Sequence, residues 1–395
     1  MGTSREFVTR ECPREAASTE VVVADSIAAF GVSEWNRLFP DELEGWHYYR
    51  AVEEAALPGF AWHYFGVRES GVLRAAVPAF VTDYRLDTTL TGPLRRVTDA
   101  LARLFPRLLR QRMLALGSPV AEVCQLGLDE SLDAPARRRM LDAILSKAEV
   151  FAAERRIGML AAKDTPARQD ALWVHAAQRR GLRRQPGLPT AALDIRHASL
   201  DDYLRSLSRA TRRDMRRKLR AGAPLRVEWR DNIDDIRDEI MRLYRATRAN
   251  AELDFEDLTP EYFAAVLRQL GTRASCGVYR LDGRIVAFNL VLRDGKRLLD
   301  KFLGMDYEVA RRYNLYFYTW MENVRYCIER RIPLYESGQG LHREKKRLGS
   351  RLSLNWLWYR HRNPLLDAVF ALVERLARLD RHDPELAELL KQQLT

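Results

Sequence analysis

Lysine, cysteine and long apolar runs are scarce in this 395-residue sequence, and each scarcity removes a class of function. Cys12, Cys124, Cys276 and Cys327 lie far apart, and no Cys-x-x-Cys pair occurs. That spacing offers neither a zinc site nor a disulfide framework. No run of eighteen apolar residues is present, so no transmembrane helix is expected. Met1 to Glu20 is polar and of mixed charge, without the apolar core of a signal peptide, and reads as a flexible tail. These features together predict a cytoplasmic protein. There is no Gly-x-Ser-x-Gly, no local Cys–His pairing and no His-x-x-x-His. Nucleophilic catalysis and metal binding therefore have no motif to rest on, and no metal site is expected.

Apolar residues make up 47% and charged residues 30% of the chain, a globular composition. The length suits two domains, each with its own core. Net charge is +11, carried by eight lysines and fifty-seven arginines. Such an arginine excess fits either a GC-rich genome or an anionic partner: cofactor phosphates, a nucleotide-linked substrate, or RNA.

Ser275 to Gly349 is the most legible stretch. Ser275–Leu281, Arg284–Arg293 and Lys296–Gly304 alternate as strands, separated by Asp282-Gly283 and Asp294-Gly295. Asp-Gly between alternating runs marks a hairpin, because a type I′ turn needs positive φ. A loop from Met305 to Asn314 follows. Leu315 to Arg331 then has helical spacing, with Leu315, Tyr318, Met321, Val324 and Ile328 on one side. Pro333 to Gly340 reads as a short strand entering a glycine-bearing loop, and Lys345-Lys346-Arg347-Leu348-Gly349 closes the unit.

This order of elements resembles the second half of a GNAT acyltransferase domain, and more closely the Fem-type, peptidoglycan-biosynthesis-like branch of that superfamily. The residues that carry the resemblance are Gly304-Met305-Asp306 with Ala310 and Asn314 before the helix, and Glu336-Ser337-Gly338-Gln339-Gly340 after it. Lys345 or Lys346 ahead of Leu348-Gly349 adds to it, as does Asp201 to Ser208 leading into Arg212-Arg213. The pattern covers residues 196–365 well and the earlier half loosely.

The first half shows a similar order: strand Phe60–Val67 paired with Val72–Thr82, a basic helix within Arg95–Ala115, helices Ala134–Arg155 and Pro166–Arg180 around strand Ile157–Ala162, then strand Leu188–Ile195. The expected fold is therefore α/β: two tandem GNAT-like domains at 21–196 and 197–395, each a mixed, mostly antiparallel sheet flanked by helices. The first is a divergent structural repeat of the second.

Ser199 reads as the cap of a helix that runs to Ala221. Its arginines Arg205, Arg209, Arg212, Arg213, Arg216, Arg217 and Arg220 fall in an arc of about 140°. Leu200, Leu204, Leu207, Thr211, Met215 and Leu219 form a separate packing stripe. The arginine face is either solvated or meets anions, with Arg209, Arg212, Arg213 and Arg216 as candidate phosphate contacts.

The resemblance implies acyl transfer to an amine, with no permanently bound cofactor. In acyl-CoA-dependent members a Gln/Arg-x-x-Gly-x-Gly/Ala loop wraps the pyrophosphate at a helix N-terminus. Here that place is Arg311-Arg312-Tyr313-Asn314-Leu315-Tyr316. Asn314 tolerates the positive φ of the first glycine, whereas Tyr316 would crowd the second. Arg311, Arg312, Asn314, Lys345 and Lys346 are the expected donor-binding residues. Glu336 is the expected acceptor of the amine proton, with Asp306 and Tyr307 as weaker catalytic candidates. The donor is expected to be an acyl-CoA-like thioester. The alternatives are an aminoacyl-tRNA, as in Fem-type enzymes, and a non-catalytic ligand-binding protein with this fold. The acceptor is expected to be an amine-bearing small molecule or cell-wall precursor, of the kind met in peptidoglycan or secondary-metabolite biosynthesis.

Overall fold

The computed structural model describes residues 19–85, 110–251, 256–377 and 384–394. In the first half, β1 (Thr19–Ala24) leads into α1 (Val32–Leu38) and α2 (Trp46–Glu54). β2 (Phe60–Glu69), β3 (Val72–Arg85) and β4 (Arg110–Leu116) form an antiparallel meander, followed by β5 (Gly127–Leu128), α3 (Ala134–Glu154), β6 (Met159–Pro166), α4 (Asp170–Gln178) and β7 (Arg183–Pro186). β8 (Thr190–Asp194) ends the first half, and the second half begins with α5 (Leu200–Ser206), α6 (Arg209–Ala221), β9 (Arg226–Arg230), α7 (Arg237–Arg248) and α8 (Pro260–Leu270). Its meander is β10 (Ala274–Leu281), β11 (Arg284–Arg293) and β12 (Arg297–Met305). α9 (Tyr307–Tyr313), α10 (Leu315–Arg330), β13 (Leu334–Gly338), α11 (His342–Arg347), β14 (Arg351–Ser353), β15 (Asn355–His361), α12 (Pro364–Ala377) and α13 (Pro384–Leu394) complete the chain.

Two sheets result, in the orders β1-β2-β3-β4-β6-β15-β7 and β9-β10-β11-β12-β13-β8-β14. Set side by side, the orders correspond strand for strand. Each has an antiparallel meander, then one parallel step, β4 to β6 or β12 to β13. Each next takes in a strand from the other half. β8 leaves the first half to lie between β13 and β14, and β15 returns to lie between β6 and β7. The repeat expected from element order is thus present as topology. The strand exchange, however, crosses the boundary expected at residues 196 and 197: β8 lies before it but pairs in the second sheet, and β15 lies after it but pairs in the first.

Local departures from the sequence reading have identifiable causes. Residues 95–109 of the expected basic helix lie outside the described residues, and Arg110–Leu116 is strand β4. Its run Met113 to Leu116 is buried and registers in parallel with Met159 to Ala162, so sheet pairing on both edges outweighs helical propensity. The helix expected from Ser199 to Ala221 is two helices. Ser199 caps the first through Asp202 N–H at 3.1 Å, Leu207 is extended, and Ser208 caps the second through Thr211 N–H at 3.2 Å. The expected Met305–Asn314 loop contains α9, started by the Asp306 carboxylate accepting from Glu308 N–H at 3.0 Å. Asp282-Gly283 makes the expected positive-φ turn, at 49° and 83°. At Asp294 the side chain instead accepts from the N–H groups of Lys296 and Arg297, both at 2.7 Å, giving a longer turn.

One of the apolar cores is shared by the two halves. It runs from Trp35 and Tyr49 of the first half to Phe263 and Phe288 of the second, where α2 packs on α8. The fully buried Tyr48 and Tyr262 hydroxyls meet at 2.8 Å, and Thr259 Oγ1 donates to the Ala55 carbonyl at 2.7 Å. The Tyr48 hydroxyl also donates to the Val120 carbonyl, so the pair fixes the orientation of its helices, because a shift would leave the buried Tyr262 hydroxyl unpaired.

The exchange predicts how fragments behave. Without β15, residues 19–196 lose Trp358, which is fully buried and donates Nε1–H to Thr165 Oγ1 at 3.0 Å. β6 and β7 are then left as open edges. We expect this fragment alone to show no cooperative thermal transition, and mixing with residues 197–395 to restore one. A cooperative melt of the isolated fragment would show that the exchange is dispensable.

Candidate functional site

The parallel step between β12 and β13 is short. Arg297, Leu298 and Leu299 pair with Leu334, Tyr335 and Glu336, and then the strands part. The parting follows a bulge: Val291 faces Asp300 and Leu290 faces Phe302, which leaves Lys301 as the extra residue of β12. On the other side of the gap, β13 ends at Gly338 with φ of 69°.

Asp300 and Lys301 go to opposite sides of β12. Asp300 accepts from the Tyr335 hydroxyl at 2.8 Å and from the side-chain amides of Asn323 at 2.9 Å and Asn289 at 3.3 Å. Lys301 turns toward the first half. Its ammonium pairs with Glu44, donates to the Val120 carbonyl at 2.7 Å and lies 3.7 Å from Glu122. Burial opposes that charge, but Glu44 and Glu122 outweigh it and raise the lysine's pKa.

Lys345, on α11, points inward and closes the loop beyond β13. Its buried ammonium donates to the carbonyls of Ser337 at 2.6 Å, Gly338 at 3.1 Å and Gln339 at 2.9 Å. Burial pulls its pKa down to about 8, against the opposing pull of Glu122 and Asp300. Lys346 points outward to Glu385 and Glu388 on α13. The two lysines look equivalent in sequence; the helix separates their roles.

The N-terminus of α10 borders the gap. Asn314 sits in the left-handed region at φ 52° and ψ 45°, as its place in the pattern requires, and no side chain caps the helix. The first-turn N–H groups are therefore available to an anion. Arg311 and Arg312 are exposed on the last turn of α9. The Tyr316 phenol is turned inward and buried without a hydrogen-bond partner. Burial first, then Asp300 and Glu344, raise its pKa.

α6 packs alongside, with the Lys218 ammonium 3.0 Å above the Phe317 ring centre. Gly222, just past α6, is required there: a Cβ would come within 2.2 Å of Tyr318 Cδ2. The expected packing stripe is the inward face, with Leu204, Leu207, Thr211 and Met215 buried. Arg209, Arg212, Arg213, Arg216 and Arg220 line a surface recess of about 540 Å³ together with Asp201 and Leu219. Arg216 pairs with Asp201 at 2.6 Å. Leu219 also packs in the cluster that holds Tyr313 and Tyr316, which ties the recess to the start of α10.

The wall facing the first half is acidic. Arg297 bridges Glu336 at 3.4 Å and Glu42 at 3.2 Å, and Gln125 Nε2 donates to Glu42 at 3.3 Å and Glu44 at 3.1 Å. Burial raises the Glu336 pKa, with Arg297 opposing, and pushes the Glu44 carboxyl up to about 7. Glu42, Glu44 and Glu122 come from first-half loops and carry no motif; only the fold reveals them.

The remaining sequence candidates lie elsewhere. Asp306 is buried in ion pairs with Arg284 and, at 3.5 Å, Arg242, in addition to capping α9. Tyr307 is 40% exposed. Neither contacts the groups around the gap. Among the described residues no cluster of three or more His, Cys, Asp or Glu has the arrangement of a metal site, and no helix is long and apolar enough to cross a membrane.

Lys345 gives a signed pH prediction. Its folded pKa of about 8 lies below the ordinary lysine value, so between the two the unfolded chain binds a proton the folded chain has released. Its contribution to stability is therefore least favourable below about pH 8 and improves as pH rises toward the ordinary value. Denaturant titrations of wild type and Lys345→Met should show the wild type gaining relative stability from neutral pH to about pH 10. A constant difference would contradict the burial of the charge.

Residues 206–346 match the family model of an acetyltransferase (GNAT) domain. A putative 8-amino-7-oxononanoate synthase 2 of Mycobacterium tuberculosis is 25% identical over 329 residues, which cover 80% of this chain and 42% of that protein. The chain thus spans less than half the length of that curated relative. Among solved structures, the C-terminal domain of a putative lysylphosphatidylglycerol synthetase from Agrobacterium fabrum superposes with a TM-score of 0.54 at 13% identity, covering 88% of this chain and 97% of that one. FemX gives 0.52 at 13% identity over 81% and 93% of the two chains. A tandem GNAT protein from the clavulanic acid biosynthesis pathway gives 0.52 at 14% identity over 87% and 98%. Residues 206–346 thus match the GNAT acetyltransferase domain, and the chain as a whole is similar in fold to FemX and to the tandem GNAT protein.

Proposed function

We propose that the protein transfers an acyl group from a phosphate-bearing thioester, of the acyl-CoA kind, to an amine held at the gap between β12 and β13. The observation that carries this reading is the division of charge across the gap. On one side are the uncapped start of α10, Arg311, Arg312 and the arginine face of α6. On the other are Glu42, Glu44, Glu122 and Glu336. An anionic donor and a cationic acceptor would be drawn to opposite sides of one opening.

In the step itself, the acceptor ammonium first releases one proton to solvent; the freed amine lone pair then forms a C–N bond at the donor carbonyl carbon as the carbon–sulfur bond breaks. The amine proton passes to Glu336 directly or through one water, and the thiolate leaves to be protonated from solvent. A carboxylate whose pKa is raised by burial is a stronger proton acceptor than an exposed one, provided it is ionised. As pH falls through that raised value Glu336 takes up a proton, so the rate falls on the acid side. Glu336→Gln should lower turnover about 10²–10⁴-fold with little change in donor affinity, and should remove the acid limb of the pH–rate profile. Near-normal turnover would mean that the proton leaves by another route.

A second reading, an aminoacyl-tRNA donor, is favoured by two features. Tyr316 replaces the small residue of the glycine loop, and five arginines on α6 line a recess larger than a single pyrophosphate requires. Calorimetry separates the donors. With acetyl-CoA, Arg311→Ala combined with Arg312→Ala should weaken binding by about 1–3 kcal/mol. With aminoacyl-tRNA, changing Arg209, Arg212, Arg213 and Arg216 to Gln should reduce the salt slope by about one for each phosphate no longer neutralised. Absence of acetyl-CoA binding together with measurable tRNA binding would reverse the order of the two readings.

A further inference from the structure

The loop after β4 serves the second half more than its own. In the first half β4 and β6 run parallel through Met113–Met159 to Leu116–Ala162, the counterpart of β12 and β13. Beyond that point the chain turns at Gly117, with φ of 104°, and lies across the parting strands, where Cys124 N–H donates to the Asp164 carbonyl at 2.9 Å. A Cβ at Gly117 would sit 3.2 Å from the Lys163 carbonyl, so the loop lies directly on β6. The first-half gap is thus filled by its own backbone. From that fill the loop projects Glu122 into the other gap.

Glu122 is fixed through its main chain. Its N–H donates to Glu44 Oε2 at 3.4 Å, and its carbonyl accepts from Gln339 Nε2 at 3.1 Å. Its side chain is 19% exposed, and among the described residues its carboxylate accepts no hydrogen bond; the nearest cation is Lys301, at 3.7 Å. Lys301 meanwhile has a closer partner in Glu44 and a carbonyl from Val120. The carboxylate lies against Gly338, where a Cβ would come within 2.8 Å of Oε2. A largely buried carboxylate with open acceptor sites, at the end of the strand that bears Glu336, is an incomplete site.

We propose that Glu122 binds the ammonium of the acceptor and holds it at the gap between β12 and β13, so that the first half forms the acceptor wall of the second half's active site. This rests on the acyl-transfer reading and deepens it: the acceptor is a cationic amine recognised by the first half. A neutral glutamine at 122 would leave Lys301 its Glu44 partner, so the fold should tolerate Glu122→Gln.

The test uses the full chain and cadaverine as the amine probe, by calorimetry and by acetyl-CoA-dependent transfer. Glu122→Gln should weaken cadaverine binding about 10- to 100-fold, the loss of a charged hydrogen bond, and should raise the amine KM more than it lowers kcat. Arg351→Ala, exposed on β14 and paired with Asp194, should leave binding as in wild type. No cadaverine binding to wild type, or wild-type binding in Glu122→Gln, overturns the proposal. Glu122-dependent binding without any acyl transfer would sustain it while defeating the thioester reading. Transfer with an unaltered amine KM in Glu122→Gln would do the reverse.

Discussion

Lys301 is the point at which the two halves are locked together. Its side chain is 1% exposed, and its charge is matched by Glu44, itself 3% exposed, across the contact between the halves. Removing two ions from water costs several kcal/mol each, and only close pairing with further hydrogen bonds offsets that cost. The Val120 carbonyl and the Gln125 amide supply those bonds. The pair therefore contributes little net stability but strongly penalises any other placement of the halves, since a sliding motion would strand a buried charge. Because Lys301 is the bulged residue of β12, the same constraint sets where β12 parts from β13. The gap, the acidic wall and the orientation of the halves thus depend on one ammonium.

What the sequence disclosed was local. Asp282-Gly283 announced its turn, Ser199 its cap, and the stripe from Leu204 to Met215 its buried face, because each rests on neighbours within one or two turns. Asn314 was legible for the same reason: its left-handed backbone is a property of one residue and its type. Glu336 was placed on the strand after the long helix by the order of elements alone. The partners that define the acidic wall were not legible. Glu44 meets Lys301 across 257 positions and Glu42 meets Arg297 across 255, and no periodicity spans such distances. The distinction between Lys345 and Lys346 was likewise hidden, since α11 is only six residues long and both ends of it are loops. The break at Leu207 escaped because the arginine spacing runs on unchanged through a residue whose backbone is extended.

The halves have diverged in opposite senses from one topology. Both keep the parallel step and the borrowed strand. In the second half the parting strands stay open, lined by Asp300, Lys345 and the start of α10. In the first, the loop beyond Gly117 covers the strands and brings Cys124 and Val120 into the core. One copy of the fold has thus kept an opening, and the other has become a support for it.

The exchange of β8 and β15 also bears on how the chain is made. β15 is close to the end of the sequence, yet it completes the first sheet by pairing with β6 and β7. During synthesis those two edges remain unpaired until residue 361 has left the ribosome, after the entire second sheet has been translated. β8, by contrast, emerges long before β13 and β14 exist to receive it. The first sheet therefore waits with strand edges open, and β8 waits unpaired, a state in which chains at high concentration pair wrongly with one another. Stalling or truncation between β7 and β15 would release a first half unable to close, which makes the nascent chain a natural client for chaperones during much of its translation.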